Sequence, residues 1–252
     1  MSTRSQIGKK TLDGRFVSNY CHSDGYPSYV GAFLLKYYNS EARADAILEL
    51  GGLSSLDKFI SVEELDASGE TRRGRDWNYD KYKNKTLPPS EMKHSFDDPI
   101  KDVTVAYHRD RDEKKMDGYD CPDFETYLKE IKDSWCEYAY FWDCREQKWY
   151  VYGAYPANIV EVTDEEAEKV EAANGKDYKN TETGEFYTYT EADEKFKSLI
   201  PLTEEMTFES YCPDCGTGLN HANWKYVQTG ATKRDGQCFC EACAAKRKQE
   251  TT

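Results

Sequence analysis

Two Cys-x-x-Cys knuckles stand in the last quarter of the chain: Cys212-Pro213-Asp214-Cys215 and, past a 24-residue spacer, Cys240-Glu241-Ala242-Cys243. Four thiols at this spacing are the ligand set of a tetrahedral structural zinc site. Two intervening residues let one tight turn aim both sulfurs at a single point. Gly216 follows the first knuckle, where a turn often needs positive φ. The spacer carries Trp224, Tyr226 and Val227 in strand-like alternation, with Gly230 and Gly236 as turn signals. The second knuckle runs into helix-forming Ala244-Ala245-Lys246-Arg247-Lys248. Knuckle, hairpin and helix predict a zinc-ribbon or treble-clef module over 210–252. A segment this short buries little apolar surface, so the metal is expected to supply much of its folding energy. Four thiolates close the coordination sphere, which makes the site structural rather than catalytic.

A pair of disulfides is the competing reading. It needs an oxidising compartment, and Met1-Ser2-Thr3-Arg4-Ser5-Gln6 lacks the apolar stretch of a signal peptide. Nine cysteines, an odd number, also fit a secreted framework poorly. Cys238, two residues before Cys240, is the alternate ligand, and His221 is a weaker competitor. Cys21, Cys121, Cys136 and Cys144 have no regular ligand spacing and read as buried free thiols.

With 252 residues the chain has room for one medium domain and a small one. No apolar run approaches the ~20 residues that span a bilayer, and the expected location is cytoplasmic. Aromatics reach 14%, with 20 tyrosines, which argues against disorder. The formal charge of −13 is uneven: residues 161–209 hold 15 acids against 5 bases, whereas residues 211–252 hold 6 bases against 4 acids. Acidic bulk charge opposes attraction to nucleic acid or anionic lipid. The acidic stretch reads first as a solvated extension, and second as a decoy for a basic groove.

The patterning predicts an α+β fold with an antiparallel sheet and packed helices over 1–160. Strands are expected at 3–9 and 15–22 around Asp13-Gly14, at 102–108, and at 135–142 and 148–152. Helices are expected at 29–38, after an Asn39 or Ser40 cap, and at 123–133. Residues 66–100 form a polar excursion in which Arg72, Arg73, Arg75, Trp77, Tyr79, Lys81, Tyr82, Lys83 and Lys85 interleave bases with aromatics. Seven acids balance its seven bases, so a charged loop is favoured over a strand-gripping surface. Within the acidic extension, Thr163 with Glu166 marks a helix start, and short strand and helix signals follow at 185–190 and 191–199.

Ser2-Thr3-Arg4-Ser5, Cys21-His22-Ser23-Asp24-Gly25-Tyr26-Pro27, Leu34-Leu35-Lys36-Tyr37-Tyr38-Asn39-Ser40, Glu137-Tyr138-Ala139-Tyr140 and Trp149-Tyr150-Val151-Tyr152 form a recognisable set. Over residues 1–155 the chain resembles a family of bacteriophage and prophage proteins of unassigned activity. Ser23 departs from the pattern, which often has an aromatic there. The resemblance implies a phage-encoded protein of the host cytoplasm, acting by binding host machinery, with a host protein as partner.

Two constellations carry an enzymatic alternative, acting on nucleotides or nucleic acid. His22 with Asp24 follows a strand, and His108 with Arg109 follows another; convergence in one pocket would make acid–base chemistry possible. The structural alternative for the first is a turn at Asp24-Gly25 and a helix opened by Pro27. For the second it is a solvated loop.

Overall fold

β1 (Ser5–Lys10) and β2 (Phe16–Cys21) pair antiparallel from Ser5↔Cys21 to Lys10↔Phe16. Gly14, at φ +90°, closes the turn between them. Gly8 is required by contact: a Cβ there would lie 1.8 Å from the Val17 carbonyl oxygen. The structure is a computed structural model that describes residues 2–74, 91–131, 134–228 and 236–250.

Pro27 opens a single π turn (Pro27–Gly31) that continues as α1 (Ala32–Tyr37). The Ser40 side chain accepts from the Arg43 amide and caps α2 (Glu41–Leu50), which Gly51 ends at φ +74°. β3 (Leu53–Ser55) and α3 (Val62–Ala67) follow. The strand expected at 102–108 is only β4 (Val105–Ala106); its remainder turns into α4 (Tyr107–Arg111). Next come β5 (Tyr119–Cys121), α5 (Phe124–Ile131), β6 (Tyr138–Asp143) and β7 (Lys148–Tyr152).

The fold is α+β. Its main sheet runs β7-β6-β1-β2-β3-β4, with β5 also on β2. The sheet is mixed: β1 pairs β6 and β2 pairs β3 in parallel, while the other pairings are antiparallel. Both faces are covered. Tyr140, Trp142, Trp149 and Val151 pack on one side with Val30, Phe33, Leu34 and Ile47. Ala139 and Phe141, alternating to the other side, pack with Phe16, Tyr127 and Ile131. Trp142 and Trp149 are cross-strand partners with rings edge-to-face at 5.7 Å.

The ends of the polar excursion are tied down. Arg72 donates to Asp66 and to the Met92 carbonyl, and Gly74 bridges Ile100. Arg75 through Lys85, the centre of the interleaved basic and aromatic string, lie outside the described residues.

The acidic segment is folded, and its strands cross the expected boundaries. β8 (Ile159–Glu161), β9 (Tyr178–Asn180) and β10 (Phe186–Tyr187) form a three-stranded antiparallel sheet. α6 (Asp164–Lys169) starts at the Thr163 cap, but the Glu166 carboxylate turns to Lys179 at 2.5 Å. α7 (Tyr189–Phe196) has a full capping box from Thr188 and Glu191. β11 (Ile200–Pro201) then returns to the main sheet, on the outer side of β7.

The C-terminal module comprises β12 (Ser210–Tyr211), β13 (Gly218–Leu219), the hairpin β14 (Trp224–Gln228) with β15 (Gly236–Cys240), and α8 (Glu241–Glu250). Leu219, Phe239 and Ala244 are its small core. It is bonded to the first helical stretch: the His221 amide donates to the Ser28 carbonyl, and Lys36 and Tyr37 both donate to the Ala222 carbonyl. No helix among the described residues is long and apolar enough to cross a membrane.

Candidate metal centre

The first knuckle is the turn between β12 and β13. Cys240 ends β15, and Cys243 lies in the first turn of α8. A knuckle, a hairpin and a helix that carries the last thiols at its start form the order of a treble clef. The sulfurs of Cys212, Cys215, Cys240 and Cys243 all lie within 4.8 Å of one another. Sulfurs about 2.3 Å from a tetrahedral zinc stand about 3.8 Å apart; Cys215 Sγ and Cys240 Sγ are 3.7 Å apart. All nine cysteines are free thiols. The donor set, its spacing and its mutual approach fit one divalent metal.

The electrostatics of the cluster point the same way. The Thr217 hydroxyl, 3.1 Å from Cys215 Sγ, and the Thr217 amide lead in lowering the Cys215 thiol to about 6. For Cys212, burial opposes ionisation but the amides of Cys240, Asp214 and Cys215 outweigh it. Cys243 is pushed up to about 12, first by its bond to Cys240 and then by Cys215. Four thiolates cannot share this volume without a cation, so metal uptake here releases protons. Arg247 holds the cage from outside: it forks onto Asp214 at 2.8 and 2.6 Å and stacks on Phe239 at 4.4 Å.

Cys238 is not in the cluster. It stands two residues back along β15, opposite Tyr226, where burial and the Glu209 charge raise its thiol. His221 is also elsewhere. Its Nε2 is 3.4 Å from Glu209, and its ring packs against Trp224 at 4.5 Å and Tyr29 at 5.1 Å.

No hydrogen bond or ion pair among the described residues joins His22 or Asp24 to His108 or Arg109. Cys21 and Ala106 are both opposite Leu53, but β2 and β3 are parallel whereas β3 and β4 are antiparallel. The chain therefore leaves the two strands in opposite directions, towards His22 on one side and His108 on the other. His22 Nδ1 is 2.8 Å from the Tyr20 hydroxyl. Asp24, at φ +55°, sits beside Tyr26; burial first and the Asp24 charge second push that phenol up to about 12. Gly25 fills a gap in which a Cβ would meet Ser5 at 2.7 Å, and its carbonyl accepts from Tyr140 at 2.9 Å. The motif thus fastens the N-terminal strand. His108 is exposed, with Nδ1 2.6 Å from the Glu113 carbonyl oxygen. Arg109 donates to the carbonyls of Ile60 and Thr104 and to Asp110.

A fourth histidine forms an unforeseen ion cluster. His94 Nε2 is 3.3 Å from the buried Asp110 carboxylate, and its Nδ1 accepts from the Ile100 amide at 3.0 Å. The Ile100 amide occupies Nδ1, while Nε2 is buried and faces the Asp110 carboxylate without a well-formed hydrogen bond. The only sign of it in the sequence is a histidine near the end of a polar stretch.

A prominent concavity was also not foreseen. A cleft of about 1070 Å³ is lined by residues between Pro27 and Tyr211, including Trp135, Cys136, Tyr155, Tyr189 and Asp193. Tyr155 donates to Asp193 at 2.5 Å, and Lys197 pairs with the same carboxylate at 2.9 Å. Cys136 has its thiol raised by burial and has no histidine beside it in the lining. No family model, no curated protein and no solved structure matches the chain.

Proposed function

We propose that this is a phage-type accessory protein of the host cytoplasm that binds a host protein and is stiffened by a structural zinc ion on Cys212, Cys215, Cys240 and Cys243. Zinc is the preferred ion because four thiolates in a tetrahedron select it over harder cations. The observation that carries the binding reading is the character of the cleft lined by Trp135, Tyr155 and Tyr189. It is rich in aromatics and carboxylates, and no histidine stands beside its one thiol. Recognition surfaces are enriched in aromatics, whereas a nucleophilic site pairs its thiol with an imidazole. The resemblance of residues 1–155 to phage proteins supports the host compartment and the class of partner.

The test is a pull-down of the tagged, metal-loaded protein from host lysate with nuclease treatment. A stoichiometric protein partner that survives nuclease is expected. Recovery of nucleic acid alone, or sub-micromolar nucleic-acid binding at about 0.15 M salt, would overturn the reading in favour of an enzyme on nucleic acid.

A further inference from the structure

Exposed large apolar side chains are not scattered evenly. Trp135 (81% exposed), Tyr189 (55%), Tyr211 (67%) and Val160 (38%) all line the one cleft, half of such residues among those described. Trp135 also holds φ at +58°, a left-handed conformation that a bulky residue adopts only at a cost. A solvent-facing indole on a strained backbone is doubly unfavourable unless something covers it.

The charge of the lining is one-sided. Among the described residues, Glu137, Glu161, Asp193, Glu205 and Glu209 face a single base, Lys197, which is already paired with Asp193. Glu137, Glu161 and Glu205 form no ion pair among the described residues. Carboxylates beside aromatic faces attract ammonium and guanidinium groups through both Coulomb and cation–π terms.

The strand edge gives the shape of the occupant. Successive side chains of a strand point to opposite faces. Ile159, Val160 and Glu161 all line the cleft, so the cleft runs along the edge of β8. That edge is the outer one of its sheet. Asn158 and Val162 bond inward, to Thr181 and Asp177, so alternation turns the amide and carbonyl of Glu161 outward. An edge of this kind accepts an added strand.

We propose that the cleft binds an extended, arginine- or lysine-bearing segment of a partner protein, which adds along β8 and sets its cations against Trp135, Tyr189, Glu137 and Glu161. The inference rests on the reading of the chain as a binding protein and names the chemistry of the partner.

The probe is a fluorescein-labelled nine-residue peptide alternating Arg and Val, titrated by anisotropy against full-length, metal-loaded protein. Saturable binding is expected. Glu137→Gln with Glu161→Gln should weaken it about tenfold, and Tyr189→Ala about threefold. Glu49→Gln with Glu113→Gln removes the same charge outside the cleft and should change it less than about twofold. Backbone N-methylation of alternate peptide residues should abolish binding. Thermal melts establish that each variant is folded. Equal weakening by both double variants, indifference to N-methylation, or displacement by spermidine as readily as by unlabelled peptide would each overturn the proposal. If the Glu137→Gln/Glu161→Gln protein still retains its host partner in the pull-down, the cleft is not the docking site, although the protein remains a binder.

Discussion

A carboxylate that is buried stays ionised only where its surroundings repay its lost hydration, and Asp110 shows how this chain arranges that. Burial alone would raise its pKa. Bonds from His94, Arg109 and the Ala106 amide more than offset it and hold the group at about 2. A carboxyl depressed in the folded state stabilises above its unfolded value and loses that contribution as pH falls through the folded one. For Asp110 the window runs from about pH 4 down to about pH 2, and the contribution at neutral pH is on the order of 2 kcal/mol. Asp110→Asn should therefore lower stability by about that amount at pH 7 and by much less at pH 2. Urea melts at the two values check this; an equal loss at both would mean that the carboxylate's charge is not what stabilises. His22 presents the contrasting case of a side chain with a local job. His22→Ala should cost about 0.5–2 kcal/mol through the lost Tyr20 bond while partner capture persists. A variant that melts like the parent but loses all biological activity while still capturing its partner would restore the enzymatic alternative.

At the scale of elements, short-range signals carried far and long-range ones did not. The Asp13-Gly14 turn, the Ser40 cap, the Thr163 cap and the two aromatic strands each depend on residues within a few positions of one another, so their pattern is visible in the chain. The parallel pairing of β1 with β6 is not, because 127 residues separate Lys10 from Tyr138 and hydrophobic alternation says nothing about which strand lies alongside. The same holds for β11, whose two residues become a strand only against β7. Within the C-terminal module, Cys238 and Cys240 were both open to the sequence, as adjacent same-face positions on one strand. The hairpin register decides between them by placing Cys240 opposite Trp224, at the mouth of the knuckle. The cleft was illegible for a third reason: its aromatics and acids come from separate segments of the chain and meet only after the acidic stretch has folded. One element can be tested directly. Gly8 admits no Cβ between β1 and β2, so Gly8→Ala should break the central pairing and cost upwards of about 3 kcal/mol, seen as a large fall in melting temperature. A melt within a few degrees of the parent would show that the strands can part to admit a methyl group.

For the whole molecule the question is how far the metal's influence extends. The module's own core is a handful of side chains around Leu219 and Phe239, too few to hold it together alone. Its inner edge nevertheless belongs to the larger domain: Ala222 is buried with the main core, His221 packs against Tyr29, and Lys36 and Tyr37 close on the Ala222 carbonyl. Removing the metal should therefore have graded consequences. The purified protein should carry about one zinc per chain, and stripping it with a strong chelator should abolish amide protection across β14, β15 and α8. Protection should fall only in part over Pro27–Tyr37, where the module's contacts end, and should persist in β1 and β6, whose ladders lie in the middle of the sheet. Cys240→Ser should reproduce this profile without chelator, whereas Cys238→Ser should keep both metal and protection. Hydrogen exchange read by mass spectrometry gives all of these regions in one experiment. Unchanged exchange in the module after chelation would mean that its folding does not depend on the metal, and collapse of β1 and β6 together with it would mean that the two parts fold as one.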